Sequence, residues 1–157
     1  MDIRVLLACA FNAVLLAICG FAFWRGGRPE RIGATSNFAA SLLTDAVRLA
    51  IPAAWVPAYY LVTIIDLTVL ATFFWLATRS TRFWPIWAFG FALADIIISV
   101  AGVLMPNTPL IAYHTGLGIY AYLALGALAI GTYRLPRAAT TDERLGLRSR
   151  LGAPVQA

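Results

Sequence analysis

Charge, histidine, cysteine and lysine are all scarce in this chain. Charged residues fill 12% of its 157 positions and hydrophobic ones 61%, with a mean hydropathy of +0.80, whereas soluble domains run near a quarter charged and about half apolar. That balance excludes an ordinary soluble domain and reads as an integral membrane protein. The chain has no room for a separate soluble catalytic domain beside its apolar segments. One histidine, His114, excludes a haem held by two axial histidines of this chain. Cys9 and Cys19 form no Cys-x-x-Cys, which removes the usual pair for thiol–disulfide exchange. Both are expected as buried, soft core residues. There is no Gly-rich phosphate loop, Gly-x-Ser-x-Gly, His-Glu-x-x-His or c-type haem attachment motif.

What is present is a set of long apolar runs with arginines between them. Runs at 3–24, 32–51, 57–78, 83–105 and 109–133 are each long enough for a hydrocarbon core of about 30 Å. The expected fold is all-α: a single domain over 1–133, a bundle of five transmembrane helices. A basic cytoplasmic tail over 134–157 has too little apolar surface to fold alone and is expected to be disordered. The first run ends in Trp24-Arg25-Gly26-Gly27-Arg28-Pro29, an interfacial aromatic and a stop-transfer cluster, so it reads as a permanent span and not as a signal peptide. Trp55, Tyr59, Tyr60, Trp75, Trp84, Trp87, Tyr113 and Tyr133 fall near helix ends, as interfacial belt residues should.

The second run is ambiguous. Asn37, Ser41, Thr44, Asp45 and Arg48 recur at three- and four-residue spacing and make one polar stripe on a helix. Such a helix either crosses with its stripe turned into a bundle or lies flat with the stripe in water, leaving four spans and one interfacial amphipathic helix. Arginine placement favours crossing: with five spans the ten arginines of the 25–31 and 79–82 loops and the tail share one side, and Arg4 alone faces the other. By the positive-inside rule the arginine-rich side is cytoplasmic, which puts the amino terminus outside and the carboxyl terminus inside, in the cell inner (plasma) membrane. The net charge of +5 then serves orientation and contact with anionic lipid, not nucleic acid.

Charged and imidazole groups within apolar runs are costly, about 2.5–3.5 kcal/mol for a charge at mid-bilayer on insertion scales, so they normally face a partner or a cavity. Asp45, Arg48, Asp66, Asp95 and His114 are therefore the candidate ligand- or proton-binding residues. Counting from the outer helix ends, Arg48 is shallowest, Asp45 and His114 nearly two turns deep, and Asp66 and Asp95 near the midplane. Two carboxylates at that depth require a cation, water or arginine to compensate them. Each group also has a plain structural role available: Asp45 and Arg48 as an ion pair on one helix, Asp66 and His114 as interhelical hydrogen-bond partners, Asp95 on a close-packing face with Ser99 and Gly102. No metal spacing is present, and no catalytic residue, metal site or cofactor is assigned. Asn12 reads as a core hydrogen-bonding residue. The glycines and alanines of the last run, among them Gly116, Gly118, Gly126 and Gly131, read as a close-packing face.

In size, span number and aromatic richness this layout resembles the tryptophan-rich sensory protein (translocator) family of tetrapyrrole- and sterol-binding membrane proteins. That family's paired Trp-Pro signature is absent from the first loop, Arg25-Gly26-Gly27-Arg28-Pro29-Glu30-Arg31, and no residue roles are carried over. The expected function is non-enzymatic binding of a small amphipathic ligand or a partner membrane subunit through the intramembrane polar cluster. Proton- or cation-coupled transport is the alternative. The expected partners are the lipid bilayer and, through the helix faces, a homo-oligomer or a larger membrane complex.

Overall fold

The computed structural model describes residues 3–50, 55–104, 110–136 and 144–145; the side chains of 3–5, 8, 48, 55–59, 102–104 and 110–117 are outside the described set. Among the described residues there are five long helices and no strands: α1 (Ile3–Arg25), α2 (Arg28–Ala50), α3 (Trp55–Arg79), α4 (Trp84–Leu104) and α5 (Leu110–Tyr133). Each helix packs on the next, and α5 returns to α1 and also touches α2, so the five close into a ring. Short connections make chain neighbours antiparallel. The ends of α1, α3 and α5 and the starts of α2 and α4 therefore share one end of the bundle, where Arg25, Arg28, Arg31, Arg79, Arg82 and Arg134 gather.

Two helices are long and apolar enough to cross a membrane, over Tyr60–Arg79 and Trp84–Ala101. Only 11% and 22% of these windows are buried, whereas the core helix of a soluble protein would be mostly hidden. The described apolar parts of α1 and α5, Cys9–Arg25 and Gly118–Tyr133, are shorter. Large apolar side chains stand exposed on all five helices, for example Leu16, Leu42, Phe74, Ile97 and Ile130. So much exposed apolar surface suits lipid and not water.

The helix starting at Arg28, four residues before the expected 32, has a local cause. The Gly27 carbonyl accepts from Arg31 N–H at 3.1 Å, and Glu30 Oε2 reaches back to accept from Gly27 N–H at 3.0 Å. That is the carboxylate half of a capping box, with Pro29 in the first turn where its missing donor does no harm. From Glu30 one face of α2 runs through Ala34, Asn37, Ser41 and Thr44 at three- and four-residue spacing. Glu30 and Ala34 are fully buried, and Asn37, Ser41, Thr44 and Asp45 are half-buried. The polar stripe thus continues a face that is packed into the bundle.

Core packing is densest at the arginine-rich end, around Trp84, Phe73, Ala88, Leu125 and Leu128. Trp84 is a correction to the sequence reading: it is 5% exposed and no belt residue. Its indole meets Phe73 edge-on at 6.2 Å and abuts both Gly33 of α2 and Gly131 of α5, where an added Cβ would overlap the ring system. Trp24, Trp75, Trp87 and Tyr133 do stand exposed at this end, as belt residues should. Cys9 is a second correction, since it is exposed while Cys19 is buried with its thiol 3.5 Å from Ala34 O. In α5 only Gly131 of the described glycines makes a close approach; Gly118 and Gly126 have open space where a side chain would be. Gly116 lies outside the described side chains.

Candidate functional site

The described polar groups lie at two levels, one near the middle of the bundle and one at its arginine-rich end. Asp66 stands next to the midpoint of α3 and Asp95 next to that of α4. Asp66 is seven residues before the fully buried Phe73, and Asp95 lies between buried Ala88 and Ser99 at helical spacing, so both carboxylates are on inward faces. Both are half-buried, on helices that pack directly against one another. Asn12, Thr63, Asp66 and Ser99 are each engaged with a neighbour. Asp45 is half-buried near the far end of α2. The side chains of Arg48 and His114 lie outside the described residues.

At the other end, a residue the sequence reading passed over organises the structure. Glu30 is 0% exposed. Besides capping α2, its Oε1 accepts from Trp84 Nε1–H at 3.0 Å, and Arg82 Nε stands 3.6 Å from the same oxygen, a separation for ionic attraction rather than a hydrogen bond. One buried carboxylate thereby ties the start of α2 to the start of α4 and to the α3–α4 loop. The half capping box Gly27-x-x-Glu30 was a visible signal for the helix start; nothing local announced the tryptophan 54 residues away. A second clasp joins α1 to α5: Arg25 Nη2 donates to Tyr133 O at 3.5 Å and to Leu135 O at 3.4 Å, and its guanidinium lies 5.6 Å from the Tyr133 ring centre. A cation there satisfies carbonyls that the end of a helix leaves without partners.

Beside this clasped end a groove of ≈ 910 Å³ runs between α2 and α3, lined by Arg28, Arg31, Thr35, Ala39, Leu43, Ile64 and Thr68 among others. Small residues on α2 leave the trough, and the same helix buries Glu30 and Ala34 on roughly its opposite side. Thr35, Thr68 and Thr72 donate their hydroxyls to Arg31 O, Ile64 O and Thr68 O, each at 2.8 Å. Their polar atoms are thus turned to their own backbones, and the wall presents mainly carbon. Arg28, Arg31 and Arg144 stand at one end of the groove, and among the described residues no carboxylate lines it. Gly27 lets the backbone of Arg144 approach where any side chain would collide. Asp45, Asp66 and Asp95 do not line the groove, so the described cavity and the acidic pair are separate features.

No family model, no curated protein and no solved structure matches this chain. Its function must therefore be read from its own residues. Among the described residues, no group of three or more His, Cys, Asp or Glu side chains is placed to hold a metal ion. The described groove side chains are aliphatic, hydroxyl and guanidinium groups, and the hydroxyls of Thr35, Thr68 and Thr72 are committed to backbone carbonyls. Apolar walls with a few polar groups at one end are the usual make-up of a site for a small organic molecule.

Proposed function

We propose that this is a five-span, non-enzymatic protein of the cell inner membrane that holds a small amphipathic ligand in the groove between α2 and α3. The groove carries the reading: its volume, ≈ 910 Å³, lies near the top of the range for small-molecule sites, roughly 300–1,000 Å³, and its polarity runs from cationic to apolar along its length. Five spans are supported by the packing of α2 alongside α3 with its polar stripe half-buried, since a helix lying beside a spanning neighbour would cross with it. The positive-inside rule makes the arginine-rich end cytoplasmic, with the amino terminus outside and the carboxyl terminus inside. A partner membrane subunit is the alternative occupant of the groove.

Two measurements test this. Native mass spectrometry of the full chain extracted in mild detergent is expected to show a retained amphiphile that Ala39→Phe, which fills the groove, removes; a bare protein, or retention that Ala39→Phe leaves unchanged, defeats the binding reading. For topology, Arg28→Cys in a background of Cys9→Ser and Cys19→Ala should resist a membrane-impermeant maleimide in intact cells and react after permeabilisation. Reaction in intact cells would instead mean that α2 lies flat.

The placement of two half-buried carboxylates, Asp66 and Asp95, next to the midpoints of adjoining helices favours a second reading, a transport component using them as a proton or cation site. Vesicles holding the protein are expected to show no flux under an imposed pH gradient. Flux abolished by Asp95→Asn would move the function to transport.

A further inference from the structure

The carboxyl-terminal tail returns to the bundle. Beyond Pro136 the described residues are Arg144 and Leu145, and both line the groove between α2 and α3 at its arginine-rich end, together with Gly26, Gly27, Arg28 and Arg31. Arg144 also shares a second hollow, of ≈ 320 Å³, with Trp24, Arg25 and Pro136. The tail thus leaves α5 beside the clasp made by Arg25 and, at Arg144, stands over the connection between α1 and α2.

The contact there is backbone on backbone. A Cβ added to Gly27 would overlap the Arg144 carbonyl oxygen and crowd the carbonyl carbon and Cα of the same residue. All three nearest atoms belong to Arg144, so the missing side chain of Gly27 is a notch for the tail. Gly26 differs: a Cβ there would meet Ala22 and Glu30, the turns on either side of it. Arg144 is itself engaged with a neighbour. Leu145 follows at once and brings an aliphatic side chain to the end of a trough whose walls are mainly carbon. Apolar walls that run out into water are costly, and an apolar side chain across that end shields them.

The hold is slight. Arg144 is exposed and Leu145 keeps 37% of its surface open. Contacts with so little buried surface open at low cost, locally, while the rest of a structure stays packed.

We infer that the tail is a strap: Arg144 seats in the Gly27 notch, Leu145 closes the arginine-rich end of the groove, and release of the strap opens that end. The strap goes beyond the ligand reading and does not rest on it, because it concerns which part of this chain covers the groove and not what the groove holds.

Two readouts on the full chain, in a background of Cys9→Ser and Cys19→Ala, test it. A benzophenone attached at Arg31→Cys is expected, on illumination, to join the tail at or beside Leu145, and Gly27→Ala, whose methyl occupies the notch, should remove most of that product. Ser36→Cys, more than one turn deeper along the groove lining, should react slowly with a water-soluble methanethiosulfonate. Adding either Gly27→Ala or Leu145→Glu should speed that reaction about fivefold or more, as a shift in a local opening equilibrium does. Leu145→Glu changes a side chain outside the five helices, so helicity by circular dichroism should stay native. Products confined to the helices, or a tail product that Gly27→Ala leaves unchanged, overturn the seating. A tail product together with a Ser36→Cys rate that neither change alters overturns the closure. No outcome depends on a retained amphiphile, so the strap and the ligand reading fail separately.

Discussion

Gly33 and Ala40 stand seven residues apart and so occupy nearly the same ridge of α2, yet one is closed upon and the other is open. Gly33 lies against the Trp84 indole so tightly that a methyl group would overlap it. Ala40, two turns further on, lines a groove. Small residues on a helix are often read as adhesive, because they let a neighbour approach. In this bundle they are adhesive where a large side chain from another helix fills the space, and they are a cavity wall where the opposing helix offers Ile64, Ile65, Thr68, Val69 and Thr72. The clasped end is tightly packed; the adjoining stretch is left open as a groove.

The largest effect is expected from removing the carboxylate that fastens the clasp. Glu30→Ala withdraws the acceptor from Trp84 Nε1–H and Gly27 N–H and removes the carboxylate that faces the Arg82 guanidinium. Breaking a buried pair on one side costs about 3–5 kcal/mol. Unfolding of the purified chain in detergent, followed by circular dichroism, should show a loss of that order, and Glu30→Gln should recover part of it because the amide oxygen still accepts one bond. Equal stability of Glu30→Ala and the native chain would mean that the clasp does not hold the bundle.

Next comes the packing of the indole itself. A methyl on Gly131 would meet Cβ and Cγ of Trp84, the base of the side chain, which cannot swing aside without moving α4. Gly131→Ala is therefore expected to cost about 1–3 kcal/mol, the usual range for overpacking. In a Trp84→Leu background the same change should cost much less, and the difference between the two backgrounds measures the contact directly. Additive effects would show that Gly131 acts through helix propensity alone.

These two sites also mark where the sequence was readable and where it was not. The five helices were legible because apolar runs of membrane length end at prolines and arginines, and such ends survive folding: α1, α3, α4 and α5 begin and end within about two residues of expectation. The start of α2 was hidden because Arg28-Pro29-Glu30-Arg31 looks like a polar loop until Glu30 is recognised as the N3 residue of a cap. Trp84 was misread because a tryptophan beside a proline at a helix start has the composition of an interfacial residue; its burial depends on Gly33 and Gly131, 51 and 47 residues away in sequence. Asp66 and Asp95 were identified from cost alone; both are half-buried next to the midpoints of α3 and α4. The groove was not legible, since it is set by which small residues of α2 come to oppose which residues of α3, and that register is a property of the packed bundle.

A smaller effect is expected at the second clasp. Arg25→Gln removes the charge that lies over the Tyr133 ring and against the carbonyls at the end of α5. A cation at a helix carboxyl end contributes about 0.3–1 kcal/mol, and exposed cation–π contacts add about 0.5–1 kcal/mol. Hydrogen exchange is the more telling readout, because the loss should appear as faster exchange in the last turn of α5 while α3 and α4 stay protected. Uniformly faster exchange across all five helices would mean that Arg25 supports the whole bundle instead of one helix end.

The smallest effect on stability, and the one that returns to the ridge shared by Gly33 and Ala40, is expected from Ala40→Leu. No indole reaches this position, so the added carbons enter the groove and touch Ile64 and Thr68 from across it. Changes away from packed, capped or charged features usually fall within about 0.5 kcal/mol, and a gain in apolar contact is as consistent with this site as a small loss. Stability in detergent should therefore be nearly native, while retention of an amphiphile falls because the space is taken. Gly131→Ala should do the reverse, lowering stability and leaving retention by the surviving folded fraction unchanged. If Ala40→Leu destabilised the chain as much as Gly131→Ala does, the groove would close on its own in the folded protein, and the contrast between a clasped and an open stretch of α2 would disappear.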